Sequence, residues 1–259
     1  MISVVIPYFK SASTIDRAIH SVLYQTHPVS EIIIVNDYSN TTKDAQKLQK
    51  LEDNLNNVRI LNLSENKGPS YARNRGMDEA VGDYIAFLDS DDTWSLNKIE
   101  VQIAIMEETG AFLSAHLSSQ FGRKEIHKNT YKKISPRINL LSNRLPTRSI
   151  MMLNTKKYRF NIEKRYAEDF LLWSQILLDG KKVVLIKETL AHSYKEDYGE
   201  SGLTQNIFKM HKGIIDVYKR LYEQRRIGMF EYVGLLFIEK LKQCYRLFRM
   251  LIRKKYPRL

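Results

Sequence analysis

The chain has 259 residues, of which 43% are hydrophobic and 27% charged, with 41 Lys or Arg against 29 Asp or Glu and a formal charge of +12. That length supports one large domain, or a domain with an appendage, and the near-average composition excludes a mostly disordered chain. A single cysteine, Cys244, excludes an internal disulfide, and no stretch reaches the ~18 apolar residues of a membrane-spanning helix.

Ile2 to Pro7 is an apolar, β-branched run stopped by proline, the pattern of a buried strand. Ser13 to Thr26 places Ile15, Ala18, Ile19, Val22 and Leu23 on one helical face. Glu31 to Asn36 reads as a second strand ending at Asp37, Lys43 to Leu55 as a polar helix, and Val58 to Leu63 as a third strand. Ser70 to Val81 then reads as a helix, and Tyr84 to Leu88 as a strand ending at Asp89. Strands alternating with helices of this length predict βαβ units and a mainly parallel sheet, in which ligands bind beyond the carboxyl ends of the strands. Asp37 and Asp89 both fall on that rim.

Further along, the pattern predicts a helix over Asn97 to Glu108 and a strand over Ala111 to Ser118. Residues 122–148 read as polar, irregular structure. A strand over Ser149 to Leu153, a helix over Glu168 to Leu178 and a strand over Lys182 to Ile186 follow.

The segment FLDSDD crowds Asp89, Asp91 and Asp92 at a strand end. Three acids so close repel one another, and a divalent cation relieves that cost; carboxylate oxygens suit Mg²⁺ or Mn²⁺, with phosphate oxygens completing the shell. Alone, the segment equally describes a solvated turn that caps the next helix. KGPSYARNRG supplies Lys67, Arg73 and Arg75 around a helix start, a place that attracts phosphate. Arg75 reads better as part of a charged helix face.

VVIPYFKSASTIDRAIHSVLYQT, IIIVND, KGPSYARNRG and FLDSDDTW, in that order, resemble the family 2 glycosyltransferases with a GT-A fold over roughly the first hundred residues. The resemblance implies an α/β fold with a Rossmann-like, mainly parallel sheet, and inverting transfer of a sugar from a nucleotide donor, usually a UDP-sugar. By motif position Asp37 would meet the uracil, Arg73 the base or ribose, and the backbone at Pro7 and Tyr8 would line the base pocket, with Lys67 nearby. Asp89 would hold the ribose or a metal-bound water, and Asp91, with Asp89 beside it, the Mn²⁺ or Mg²⁺. Asn36 stands where many relatives carry an acid.

Inverting displacement requires a base for the acceptor hydroxyl. The resemblance places it in the Glu168–Asp169 pair: Asp169 as the base, Glu168 as a neighbour that raises its pKa or binds the acceptor. The alternative for both is a pair of acids favoured by the helix dipole. Trp173 reads as core, and His192 as a surface or structural histidine. YKEDYGESGLT resembles the loop that closes over the substrates in this family, with Gly199 and Gly202 as hinges.

Residues 205–259 hold 14 Lys or Arg against 4 acids, whereas residues 1–204 hold 27 against 25. We therefore divide the chain into a GT-A domain, 1–204, and a basic helical extension, 205–259. From Met229 the apolar residues Phe230, Val233, Phe237, Leu241, Cys244, Tyr245, Phe248 and Leu251 recur at steps of three or four among basic ones. Such a helix suits an anionic membrane surface, at ~1 kcal/mol for each basic residue near it, or packs on the domain or in a homodimer. The aromatics lie on the apolar stripe rather than through the basic face, which speaks against nucleic acid. YFKSAST lacks the glycine-rich loop expected of a sugar nucleotidyltransferase. The expectation is a cytoplasmic enzyme, peripheral on the inner face of the membrane, transferring sugar to a glycan or lipid-linked acceptor in surface-polysaccharide synthesis. Met1 and Ile2 enter SVVIP without the basic region of a secretory leader.

Overall fold

The computed structural model describes residues 1–128, 130–194 and 206–255. The N-terminal half runs β1 (Ile2–Tyr8), α1 (Ile15–Leu23), β2 (Glu31–Asn36), α2 (Thr42–Asn54), β3 (Val58–Asn62), α3 (Pro69–Glu79) and β4 (Tyr84–Phe87). It continues through β5 (Thr93–Trp94), α4 (Lys98–Thr109), β6 (Leu113–Gln120), β7 (Tyr131–Lys133), α5 (Pro136–Leu141), β8 (Met151–Leu153), α6 (Glu168–Leu178) and β9 (Val183–Ser193). Two long helices, α7 (Ile207–Glu223) and α8 (Met229–Lys255), follow.

Among the described residues nine strands form one sheet in the order β3-β2-β1-β4-β8-β6-β9-β5, with β7 also paired to β9. β2, β1, β3 and β4 are mutually parallel, so the first half is the expected α/β unit. β1 is apolar almost throughout because it is covered on both faces, as a central parallel strand must be. α1 buries Ile15, Ala18, Ile19 and Val22, the face that the spacing predicts. On the opposite side α3 lies close to β1: a Cβ on Gly76 would sit 2.4 Å from Val5 Cγ1. That approach brings the rest of the KGPSYARNRG segment to the sheet rim.

Residues 122–148 contain more order than their polarity predicts. β7 pairs with β9, α5 is a short helix, and Ile134, Leu140 and Leu145 are buried. Apolar anchors so sparse leave no periodicity to read. β9 runs beyond Ile186 to Ser193 because β6 continues to pair with it across register shifts at His116 and Leu117. Polar Thr189 and His192 are accommodated there by hydrogen bonds to Ile126 N and to Ser95 Oγ. β5, two residues long, escapes sequence pattern altogether.

The extension shares a core with the rest of the chain. Val217, Tyr218 and Leu221 of α7 and Leu235 of α8 pack with Leu140, Ala167, Phe170 and Leu171. On α8 the inward side is Leu235, Glu239 and Gln243. The more apolar stripe faces out: Phe230 is 96% exposed, Phe237 63% and Phe248 60%. Among the described residues no helix is long and apolar enough to cross a membrane.

Candidate active site

Asp37 leaves β2 and Asp89 leaves β4 at the same rim of the sheet, and backbone bonds hold both ends in place: Asp37 N donates to Tyr8 O at 2.8 Å and Leu88 N to Val5 O at 3.2 Å. Both carboxylate oxygens of Asp37 accept backbone N–H groups, Oδ1 from Lys67 at 2.7 Å and Oδ2 from Gly68 at 2.8 Å. The residue expected to meet the uracil thus also fixes the turn in front of α3. Gly68 adopts φ 85°, which only glycine takes without strain. Asn36 spans the strands, donating to Asn62 Oδ1 at 2.8 Å and accepting from Ser39 N at 2.9 Å.

Pro7 is half-buried, and Tyr8 is buried with its hydroxyl donated to Asp44, so the backbone of this pair is what the rim offers. Lys67 pairs with Glu65 at 2.9 Å and lies 4.8 Å over the Tyr71 ring. Arg75 lies 3.4 Å from Glu79 one turn along α3, the charged-face reading.

Arg73 points the other way. Its Nη2 donates to Asp89 Oδ1 at 2.7 Å, its Nη1 lies 3.5 Å from Glu168 Oε1, and its side chain is 8% exposed. Residues 73, 89 and 168, from three elements, therefore meet at one buried guanidinium. Phe160 supports it, with the guanidinium carbon 5.4 Å from the ring centre.

The acid turn splits by orientation. Asp92 is buried and accepts from Arg148 Nη1 at 3.0 Å; burial, opposed by Arg148 and reinforced by Asp89 and Asp91, pushes its carboxyl up to about 7. Asp91 is half-buried, and its carbonyl accepts from Arg17 Nη2 at 2.6 Å. Asp89 and Asp91 offer hard carboxylate oxygens that fit Mg²⁺ or Mn²⁺. Among the described residues no group of three or more His, Cys, Asp or Glu is arranged to hold an ion by itself.

Glu168 and Asp169 open α6 directly after Ala167, which takes the left-handed conformation at φ 56° and ψ 31°. Such backbone is costly for a residue with a Cβ and sets the angle at which the two acids enter the site. Asp169 Oδ1 accepts from Phe170 N at 2.6 Å and Oδ2 from Asn143 Nδ2 at 3.1 Å. Burial raises the Asp169 carboxyl; its N–H partner, Arg73 and Asn143 oppose that shift. Burial, and then the charge of Asp169, raises Glu168 to about 7 against the opposing pull of Arg73. Trp173 is fully buried against Phe87 and Phe160, as a core residue.

Two arginines that sequence pattern does not distinguish belong to the site. Arg148 holds Asp92, donates from Nε to Ser118 Oγ at 3.4 Å, and offers its carbonyl to Trp94 Nε1 at 2.9 Å. Arg17 reaches from α1 to Asp91 and stacks 3.9 Å over Tyr194, whose ring lies on Phe121 at 4.7 Å. The only hint in the sequence is a basic residue on the polar side of α1. His192 lies buried between Ser95 and Ser119, a structural role. Of the expected closing loop, 194–204, all but Tyr194 lies outside the described residues.

One family model, glycosyl transferase family 2, matches this chain across residues 3–165. The chain belongs to glycosyltransferase family 2. Relatives of this glycosyltransferase include TuaG of Bacillus subtilis, named for teichuronic acid biosynthesis, at 32% identity over 74% of this chain and 77% of TuaG. Another is WfgD of Escherichia coli, a UDP-Glc:α-D-GlcNAc-diphosphoundecaprenol β-1,3-glucosyltransferase, at 30% identity over 84% of this chain and 85% of WfgD. Its fold matches that of Staphylococcus aureus TarS, solved with UDP-GlcNAc, with a TM-score of 0.71 at 20% identity over 91% of this chain and 70% of the TarS chain. The GT-A architecture expected from the motifs is thus the observed one.

Proposed function

We propose that this enzyme is a metal-dependent, inverting glycosyltransferase that moves a sugar from a UDP-sugar to a hydroxyl of a lipid-linked glycan in surface-polysaccharide synthesis. One observation carries the reading: Arg73 joins Asp89, on the donor side of the rim, to Glu168, beside the proposed base. WfgD, similar over most of its length, uses a UDP-sugar and a diphosphoundecaprenol-linked acceptor, and supports the substrate class.

In this reading Asp37 shapes the turn at Lys67 and Gly68 against which the nucleotide lies, and Asp89 and Arg73 face its ribose. Asp91 and Asp89 would hold the Mn²⁺ or Mg²⁺, which when bound stabilises the negative charge of the departing diphosphate. Asp169 takes the proton of the acceptor hydroxyl as its oxygen bonds to C1 and the C1–diphosphate bond breaks. Asn143 and Phe170 N–H orient the Asp169 carboxylate for that transfer. Glu168, one residue before the base, is placed to bind the acceptor hydroxyl.

The outward stripe of α8 is apolar and belongs to the basic part of the chain. Pairing this face with a second copy would bring two basic surfaces together, whereas an anionic bilayer complements both its features. We assign it to peripheral attachment at the inner face of the membrane, with 1–204 as the catalytic unit and 205–259 as the attachment unit. No role for nucleic acid follows from it.

The deciding experiment is transfer from UDP-glucose or UDP-GlcNAc to a synthetic lipid-diphosphate-linked sugar, with Mn²⁺ and with EDTA. Transfer that requires Mn²⁺ and disappears in Asp91→Ala is expected. Full transfer in EDTA would overturn the metal assignment.

A further inference from the structure

Beside the catalytic rim lies a groove of about 440 Å³ with an apolar floor of Leu117, Ile126 and Leu185. Lys128, Lys132, Arg144 and Lys187 line it, and no acid does. None of these four side chains has an ion-pair or hydrogen-bond partner among the described residues. The contrast with the other cations near the site is sharp, since Arg73, Arg148 and Lys164 are all paired with carboxylates. Four cations around one groove, with no acid among its lining residues, attract a polyanion to it.

The groove adjoins the proposed base on the acceptor side. Arg144 directly follows Asn143, which donates to Asp169 Oδ2 at 3.1 Å. Leu117 directly precedes Ser118, which accepts from Arg148, the partner of Asp92. Consecutive Cα atoms are about 3.8 Å apart, so the Arg144 side of the groove begins one residue from a group that touches Asp169, and the Leu117 side one residue from the partner of Arg148. The floor lies on the same face of the sheet as α6, for Leu117 and Leu185 pack in the cluster that holds Leu172 and Trp173. Lys132 stands opposite Leu185 in the β7–β9 ladder, which sets a cation directly against the apolar floor.

An apolar floor rimmed by unpaired cations suits an amphiphile whose anionic group adjoins a hydrocarbon chain. A nucleotide sugar has no use for the floor, and a neutral glycan has no use for the rim. We infer that this groove is the acceptor subsite for a lipid diphosphate, with the cations on the two phosphates and the first part of the lipid on Leu117, Ile126 and Leu185. The assignment rests on the lipid-linked acceptor proposed above and adds the residues that would select it. Arginine and lysine suit the task differently: Arg144 can grip phosphate oxygens in a fork, and the lysines act as point charges.

The test uses the full chain and farnesyl diphosphate as probe, with inorganic diphosphate and farnesol as the arms that separate charge from lipid. Titration calorimetry should show farnesyl diphosphate binding more tightly than either arm. Lys132→Glu with Lys187→Glu, and separately Arg144→Glu, should weaken it by at least ~10-fold while UDP binding with Mn²⁺ is unchanged. All of these side chains are at least partly exposed, and a melting temperature within the wild-type range checks the fold. Farnesyl diphosphate binding that survives these variants, or that UDP displaces competitively, would overturn the subsite by moving the probe to the donor site. Equal affinity for inorganic diphosphate would overturn the lipid part. Loss of UDP binding in the wild type would instead count against the glycosyltransferase reading, independently of the groove.

Discussion

Arg73 donates to Asp89 at 2.7 Å across a distance of 16 residues in sequence, and its other terminal nitrogen lies 3.5 Å from Glu168. A guanidinium meets the two carboxylates with two separate nitrogens in a rigid plane, whereas a lysine offers one point of contact on a flexible stem. Arg73→Lys should therefore lower kcat/KM by about 10- to 100-fold with a folded protein by circular dichroism. Wild-type kinetics in that variant would show that the bridge has no part in transfer.

For the base, Asp169→Asn should leave UDP affinity intact and lower the transfer rate by at least ~100-fold. Binding by calorimetry and turnover by product formation separate the two effects. Unchanged turnover would move the base elsewhere.

Protonation gives an independent check. The Glu168–Asp169 pair is raised, Glu168 to about 7, so transfer should increase as pH rises through that range. Glu168→Gln removes the carboxyl that burial and the Asp169 charge raise to about 7 and should move the acid limb to lower pH. The same substitution has a signature in stability. Glu168 has a folded pKa above its unfolded value, so its contribution is fully present below about 4.5 and is lost as pH rises through about 7. Denaturation midpoints should show Glu168→Gln gaining on the wild type at alkaline pH and not at acid pH.

Arg17 fixes the backbone of Asp91 and stacks on Tyr194. Arg17→Ala should weaken Mn²⁺ affinity, measured by electron paramagnetic resonance in the presence of UDP, by about 10-fold. An unchanged Mn²⁺ titration would limit Arg17 to packing.

The Lys98 side chain is fully buried, its amine has no hydrogen-bond partner among the described residues and lies 3.7 Å over the Trp94 ring, and burial holds that amine well below the usual range. Lys98→Met should stabilise the fold by about 1–3 kcal/mol near neutral pH. The gain should shrink as pH rises, because the depressed folded pKa costs most where the unfolded lysine is protonated. Urea denaturation at two pH values measures both.

On α8, Phe237→Glu with Phe248→Glu should reduce co-flotation with vesicles containing phosphatidylglycerol by at least ~10-fold. Absence of wild-type flotation, or a dimer that these substitutions dissociate in the ultracentrifuge, would replace the membrane by a second copy.

The order of strands and helices in the first hundred residues was legible because each element carries its own period: β1 is continuously apolar and α1 repeats every three or four residues. The acid turn, the Gly-Pro helix start and the Glu168–Asp169 pair were legible as well, since their spacing in the chain is local. What joins them was not. Arg75 already reads as part of a charged helix face in the sequence, but that Arg73 joins Asp89 to Glu168 depends on the close seating of Gly76 on Val5 and on the distant α6. Arg148 and Asn143 reach the carboxylates of Asp92 and Asp169, and Arg17 the carbonyl of Asp91, from 26 to 74 residues away in sequence, a separation that leaves no pattern to read. α8 makes the point in reverse: its sequence announces an apolar stripe, but packing against α7 and α5 buries the opposite side. Local periodicity determined which residues form each element. Tertiary contact decided which face meets the core and which charges meet one another, because both depend on neighbours that the chain order does not hold together.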